Sequence, residues 1–396
     1  MLEVGGGAAA ASLILSGSAA LGQPGGASAV GQPMPGGVDL PETAPRPRRP
    51  DSVGFAIVGL GGYALNQMMP RFEQAERAHI AALVSGNPDK LQRVGEAYGV
   101  PPEMRFSYET FHEMASYSDV DAVYIVLPSG LHAEWTERAF AAGKHVLCEK
   151  PMALSSAEAE RMIAASRRAD RKLMIAYRSH FEPYNSRAME LMEEGAVGKL
   201  RLVRTEQSYR MGPTSPAENW RANGALAGGG PLEDYGIYGL QAALYLSGEM
   251  PESISAATYR PAGDPRFAEI FAHVAAQLRF PSGAVAQLAT SYDSAGINAV
   301  QARGTDGALM MEPATSYSGN TMVLQAGRDR REFSLGDSTV QFARQLDHLA
   351  DAIRDGADIK TSGEMGLRDV RLIEAIYRSA ETGEKVSLNP DGTVKS

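Results

Sequence analysis

The sequence predicts a two-part chain: an α/β unit built on a doubly wound parallel sheet, then an α+β unit built on an open, mostly antiparallel sheet with helices on one face. Three observations carry this. An apolar run at Val53–Val58 leads into Gly59-x-Gly61-x-x-Ala64. Between residues 51 and 177, short β-forming runs alternate with amphipathic helical stretches. After Tyr177 that alternation gives way to longer strand-like runs joined by short Gly or Asp turns. Alternating elements build parallel sheets, whereas runs of strands on short turns build antiparallel ones.

Strand one is read over Val53–Gly59. Gly59 permits the tight turn after it, Gly61 lets backbone approach a pyrophosphate, and Ala64 lets the next helix pack closely on the sheet. That helix is read over Tyr63–Ala75. The N–H groups at its start favour an anion, so the turn predicts a Rossmann-type nucleotide-binding unit. Strand two is His79–Val84. Asn87-Pro88-Asp89 supplies an N-cap, a first-turn proline and an early acid for a helix continuing through Lys90–Tyr98. Strands at Phe106–Tyr108, Ala122–Leu127, His145–Cys148 and Lys172–Ala176 then alternate with helices at Thr110–Ser116, His132–Ala142 and Ala157–Ala169, the last capped by Ser155.

The second unit opens with a helix at Pro183–Glu194. Strands follow at Leu200–Tyr209, Ile254–Tyr259, Phe271–Phe280, Ala284–Tyr292, Ala299–Gly304, Ala308–Glu312 and Met322–Ala326. Helices at Thr339–Arg354 and Gly366–Thr382 close the chain. Gln277, Arg279, Gln287 and Thr290 alternate with apolar neighbours, giving the sheet a mixed free face. An open sheet of this size needs cover on that face, which predicts a homodimer or homotetramer.

The 396 residues are 44% hydrophobic and 21% charged, as expected of globular domains with proper cores. A net charge of −9 with no long basic block argues against a nucleic-acid partner. Cys148 is the single cysteine, which excludes an internal disulfide framework. No apolar run is long enough to span a membrane as a helix. Residues 1–29 read as an export signal of low hydrophobicity, with a small-x-small cleavage site at Ala27-Ser28-Ala29. That composition suits the twin-arginine route to the periplasm, with the basic start expected upstream of the assigned first codon; the alternative is a cytoplasmic protein with a low-complexity tail. Residues 30–50 form a Pro-rich arm. The nucleotide-binding unit is placed at 51–177 and the substrate and oligomerisation unit at 178–396.

Cofactor choice is read at the end of strand two. An NAD site usually has a carboxylate there for the ribose hydroxyl. This chain has Ser85, then Asn87, with Lys90 one helical turn on. A hydroxyl and an ammonium suit a 2′-phosphate, so NADP is expected; Asp89 is explained as a helix-start acid.

Three further signals carry chemistry. Glu149-Lys150-Pro151 ends an apolar strand, which points Lys150 into the crevice where ligands bind in such sheets. Gly228-Gly229-Gly230 frees the backbone ahead of a helix on which Asp234 and Tyr238 share one face. Arg178 stands where the last parallel strand leaves the first unit, fit for the nicotinamide end of a cofactor, a substrate oxygen or a domain-boundary ion pair. His132 and His180 lack metal-type spacing, so no metal site is expected. The parts fit alcohol oxidation: Tyr238 as acid and base, Lys150 tuning and orienting it, and Asp234 holding a sugar hydroxyl. A free phenol, with a pKa of about 10, needs such a neighbouring cation to act as a base.

Together these residues resemble the glucose–fructose oxidoreductase, inositol dehydrogenase and rhizopine-catabolism (Gfo/Idh/MocA) family, from Val53 to the last helix. The segments most like its glucose–fructose oxidoreductase branch are 58–67, 84–87, 148–153, 218–221, 236–240, 313–317 and 345–350. The resemblance implies a tightly held NADP that shuttles hydride between two sugars, one aldose becoming its lactone and a second sugar a polyol. It also implies export with cofactor aboard and an arm embracing a partner subunit. Lys150 and Asp234 fall on the family lysine and aspartate; Tyr238 falls where most relatives carry histidine. The cofactor-binding set it implies is Gly59, Leu60, Gly61, Gly62, Tyr63, Ala64, Ser85, Gly86, Asn87, Lys90, Pro128, His132, Glu149, Lys150, Arg178, Trp220, Arg221 and Tyr317. Ser129 departs from the branch pattern, so a contact near the nicotinamide ribose is expected to differ, and the loop Tyr209–Pro213 departs from it on the substrate side, which leaves the second sugar open between fructose and another aldose. Competing readings are an ordinary NADP-dependent dehydrogenase, an NAD-dependent glycosidase of the same fold, and a non-catalytic nucleotide sensor.

Overall fold

The computed structural model describes residue 40 and residues 49–395. The expected export signal and most of the Pro-rich arm lie outside these. The first unit is a six-stranded parallel sheet of β1 (Val53–Val58), β2 (Ala78–Val84), β3 (Arg105–Phe106), β4 (Ala122–Ile125), β5 (His145–Cys148) and β6 (Leu173–Ile175), ordered β3-β2-β1-β4-β5-β6. Every residue of β1 is buried, as a central strand covered on both faces requires. Helices α1 (Pro88–Ala97), α2 (His132–Ala141) and α3 (Ser156–Ala169) provide cover. Asn87 caps α1 by accepting from the Lys90 N–H at 3.0 Å. Ser155 caps α3 in the same way from Glu158.

The helix expected over Tyr63–Ala75 is irregular. It is π-helical over Ala64–Met68 and tightens to a 3₁₀ turn over Met69–Glu73. Pro70 lacks the N–H that a regular helix would bond to the carbonyl four residues back, so the ladder shifts around it.

After α4 (Pro183–Glu193), the second unit is a nine-stranded sheet. Its strands are β7 (Leu200–Arg210), β8 (Ser253–Tyr259), β9 (His273–Arg279), β10 (Val285–Ser291), β11 (Asp293–Gly304), β12 (Gly307–Met311), β13 (Val323–Ala326), β14 (Asp329–Glu332) and β15 (Val386–Ser387). They are ordered β14-β13-β12-β11-β7-β10-β9-β8-β15, and within this order β7 and β10 pair in parallel. One face carries α6 (Ile237–Ser247) and α8 (Gly363–Thr382), while the short α5 (Gly224–Ala227) packs against the turns Ser129–Leu131 and Trp220–Ala222. The opposite face presents Arg204, Glu206, Ser255, Ala257, Ala275, Gln277, Arg279 and Gln287 to solvent. Thr290 does not belong to it: three residues from Gln287, it points the other way, is buried, and donates to the Gln207 carbonyl at 2.7 Å.

Helix α7 (Val340–Arg354) falls within the second unit in sequence but packs against β1 and β2 of the first. The Asp347 carboxylate accepts from the backbone N–H groups of Glu76 at 2.9 Å and Arg77 at 2.7 Å. Arg354 donates to Asp121 at 2.7 Å. No helix among the described residues is long and apolar enough to cross a membrane.

Candidate active site

A cleft of about 580 Å³ runs along the carboxyl ends of the parallel strands and is closed by the second unit. Its volume is that of a typical cofactor pocket. Of the expected site residues, Gly59 to Ala64, Ser85, Gly86, Asn87, Lys90, Pro128, Glu149, Lys150, Trp220, Arg221, Asp234, Tyr238 and Tyr317 line it. His132 and Arg178 lie buried behind the wall. Ser129, where the branch pattern is broken, and Glu218 and Asn219, within the family-like segment 218–221, also line the cleft, as does Tyr108, which no sequence pattern singled out.

At one end the glycine turn faces open space. A Cβ built on Gly61 would meet nothing within 4 Å, and no side chain caps the helix that follows. That unfilled cradle beside a helix start that no side chain caps fits a pyrophosphate. Beyond it, the Lys90 ammonium reaches back to the Leu60 carbonyl at 3.4 Å, and partial burial lowers its proton affinity. Ser85 Oγ accepts from the Asn87 N–H at 3.2 Å. Asp89 is exposed and outside the cleft, so among the described residues no carboxylate stands at the ribose end. This donor set fits a 2′-phosphate.

At the other end, Lys150 follows β5 directly. Its ammonium donates to the Asp234 backbone carbonyl and lies 3.3 Å from Asp234 Oδ1. The other carboxylate oxygen of Asp234 accepts from Arg221 Nε at 3.0 Å and the Tyr292 hydroxyl at 2.8 Å. Burial opposes ionisation of Asp234, but Arg221 and Lys150 outweigh it and hold the carboxyl well below the usual range. Asp234 sits in a π-helical turn, Leu232–Gly236, that runs into α6 and keeps Asp234 and Tyr238 on the cleft side. Gly239 lets α6 lie directly on the sheet; a Cβ there would stand 2.1 Å from Gln207 Oε1.

The Tyr238 hydroxyl accepts from Arg178 Nε at 3.1 Å. Lys150 Nζ lies 5.1 Å from the Tyr238 ring centroid, with its hydrogen bonds going to Asp234. The sequence expected Lys150 to orient the phenol; the structure puts Arg178 on the phenol oxygen. Burial pushes the Tyr238 phenol up to about 12, against the lowering effect of Arg178. Tyr317, 39% exposed, stands at the mouth, with the Arg178 guanidinium 4.6 Å from its ring. Glu149 is buried, accepts from the Tyr124 hydroxyl at 2.6 Å, and has its pKa raised by burial. His132 joins two turns of the cleft wall, its ring nitrogens 2.8 Å from the Pro151 carbonyl and 2.9 Å from that of Leu127.

Residues 53–177 match the model of an oxidoreductase family with an NAD-binding Rossmann fold, and residues 186–310 match that of the GFO/IDH/MocA C-terminal domain. The chain is 31% identical over 362 residues to a D-xylose 1-dehydrogenase [NADP(+)] of Haloarcula marismortui, covering 90% of this chain and 99% of that protein. It is 46% identical to an aldose–aldose oxidoreductase of Caulobacter crescentus, whose crystal structure with glycerol superposes with a TM-score of 0.82, covering 85% of this chain and 100% of that one. A 3-ketoreductase of Actinomadura kijaniata, in complex with NADP and TDP-benzene, is 26% identical with a TM-score of 0.73, covering 83% of this chain and 98% of that one.

Proposed function

The chain belongs to the GFO/IDH/MocA oxidoreductase family, and we propose that within it this protein is an NADP-dependent sugar oxidoreductase that keeps its cofactor between two half-reactions. An aldose is oxidised at C1 to its lactone, and a second sugar, an aldose in preference to fructose, is reduced to a polyol. The observation that carries this reading is the continuity of one cleft, from Ser85 and Lys90 to Lys150, Asp234 and Tyr238. The likeness to an aldose–aldose oxidoreductase supports an aldose as the second sugar.

NADP, when bound, supplies the hydride acceptor and donor. Lys90 and Ser85 would hold its 2′-phosphate, and the Gly59–Ala64 turn its pyrophosphate. Tyr238 carries the proton, taking it from the C1 hydroxyl of one sugar and returning it to the carbonyl oxygen of the other. Lys150, fixed by Asp234, donates to the reacting sugar oxygen, and Arg221 keeps Asp234 ionised for that task. The exposed face of the second sheet, with its small Ala257 and Ala275 beside Gln277 and Gln287, is covered by a second copy of the chain.

Purification without added nucleotide tests both parts. The expected product is an oligomer by light scattering that carries NADP, gains the NADPH absorbance band on adding glucose, and loses it on adding a second sugar. Arrival without nucleotide, with turnover only on added NADP, would replace the two-sugar cycle with an ordinary dehydrogenase. A monomer would remove the covered face.

Lys90→Ala is expected to weaken NADP by about 10–100-fold, the worth of a lost charged hydrogen bond, and to leave NAD nearly unchanged. Fluorescence titration with both nucleotides checks this. Equal losses would mean that Lys90 does not read the phosphate.

A further inference from the structure

We propose that Arg178, and not Lys150, is the positioning residue that aims the Tyr238 hydroxyl and balances its negative charge during proton transfer. The inference rests on the reading of Tyr238 as acid and base. It follows from what surrounds the guanidinium. Arg178 is 3% exposed and lies outside the cleft lining, so it acts through Tyr238. Its Nε donates to the phenol oxygen at 3.1 Å. The rest of the fork is bound elsewhere: Nη1 to Gln341 Oε1 at 2.7 Å and the Ser316 carbonyl at 3.4 Å, Nη2 to the Thr315 carbonyl at 2.7 Å. The guanidinium carbon is 4.5 Å from the Tyr238 ring centroid and 4.6 Å from that of Tyr317. A group held this way stays in place as the proton moves. With one lone pair of the phenol oxygen committed to Nε, the O–H is left to point into the cleft.

Charge leads to the same conclusion. Among the described residues, no carboxylate forms an ion pair with Arg178; its neighbours are carbonyl oxygens, an amide and phenols. A buried cation without a carboxylate partner favours an anion at the nearest group able to form one, and the hydroxyl it touches is that of Tyr238. The other groups facing this phenol have different commitments. Lys150 is paired with Asp234, Asp234 with Arg221 and Tyr292, and Glu149 with Tyr124. Glu149 and Asp234 disfavour the phenolate, and the Tyr235 and Tyr317 phenols add no positive charge. The carbonyls that grip Arg178 are themselves braced: Asn298 Oδ1 accepts from the Thr315 N–H and hydroxyl at 3.0 Å each, and Asn320 Oδ1 from the Ser316 N–H at 2.8 Å.

The test is the pH dependence of kcat/KM for sugar oxidation by holoenzyme. In the wild type the rate should climb with hydroxide and level off once Tyr238 ionises. In Arg178→Met the climb should shift by about 1–3 pH units to the alkaline side, the effect of removing an adjacent opposite charge. Arg178→Lys should restore part of the shift, and it serves as the working variant if the methionine form does not fold. Lys150→Met should lower the rate and leave the climb in place. A readout free of turnover is the tyrosinate absorbance change, taken as the difference between each protein and its Tyr238→Phe counterpart. An unmoved climb and an unmoved difference titration in a folded Arg178 variant would overturn the proposal, as would a shift seen only in Lys150→Met. If Tyr238→Phe itself keeps the wild-type climb, the acid/base reading fails; the difference titration then still reports whether Arg178 governs that phenol.

Discussion

Replacing Tyr238 by phenylalanine is expected to lower turnover by about 10³-fold, the usual worth of a positioned acid or base, while the protein stays folded and keeps its nucleotide. The substitution removes one oxygen. Of the contacts around the side chain, only the hydrogen bond from Arg178 is lost; the packing against Tyr235 and the guanidinium remains. Leaving one N–H of a buried guanidinium short of a partner costs about 1–3 kcal/mol, which a protein of this size tolerates. Single-turnover reduction of bound NADP by glucose separates the two effects, since binding is read from retained absorbance and chemistry from its change. Activity within tenfold of the wild type would take the proton from Tyr238. The pH sign follows from burial, which pushes this phenol up to about 12. At neutral pH it is protonated and ready to give its proton to a carbonyl oxygen as hydride arrives, so oxidation should speed up as pH rises while reduction changes little until far into the alkaline range.

The glycine turn gives the second large effect, and it divides between two neighbours. Gly59 has φ +98°, and a Cβ there would stand 2.3 Å from the Val126 carbonyl oxygen, a backbone atom that cannot step aside. Gly59→Ala is therefore expected to cost about 2–5 kcal/mol of stability through backbone strain and overpacking. At Gly61 the same Cβ meets nothing. Gly61→Val should fold like the wild type yet bind nucleotide about 10–100-fold more weakly, because its side chain occupies the cradle. Urea denaturation and nucleotide titration of the two variants should give opposite patterns: instability in the first, weak binding in the second. A Gly61→Val protein that binds normally would show that the turn does not hold a ligand.

What could be read in advance was local. Asn87 before Pro88 is a cap written in adjacent residues, and Lys150 at the end of a strand follows from a short apolar run meeting a proline. The spacing of Asp234 and Tyr238 survived even though the turn between them is π-helical. What could not be read depends on distant chain. The partners of Arg178 come from 315–316 and 341, and no pattern around Tyr177 points to them. The hold of Arg221 on Asp234 needs the 218–222 loop placed over the cleft. The polarity of Thr290 suggests the free face, but its odd spacing from Gln287 turns it to the buried one. Strand β14 is four charged, exposed residues, which carry no apolar alternation to detect.

Helix α7 gives the nucleotide-binding half a dependence on the tail of the polypeptide. The Asp347 carboxylate that satisfies the N–H of Glu76 lies 271 positions further along the chain. Leu346 and Leu349 are fully buried, so a fragment stopped at residue 177 would leave its first two strands without this cover. The half made first on the ribosome is thus finished by the half made last, and neither is a module that can be cut away and moved elsewhere.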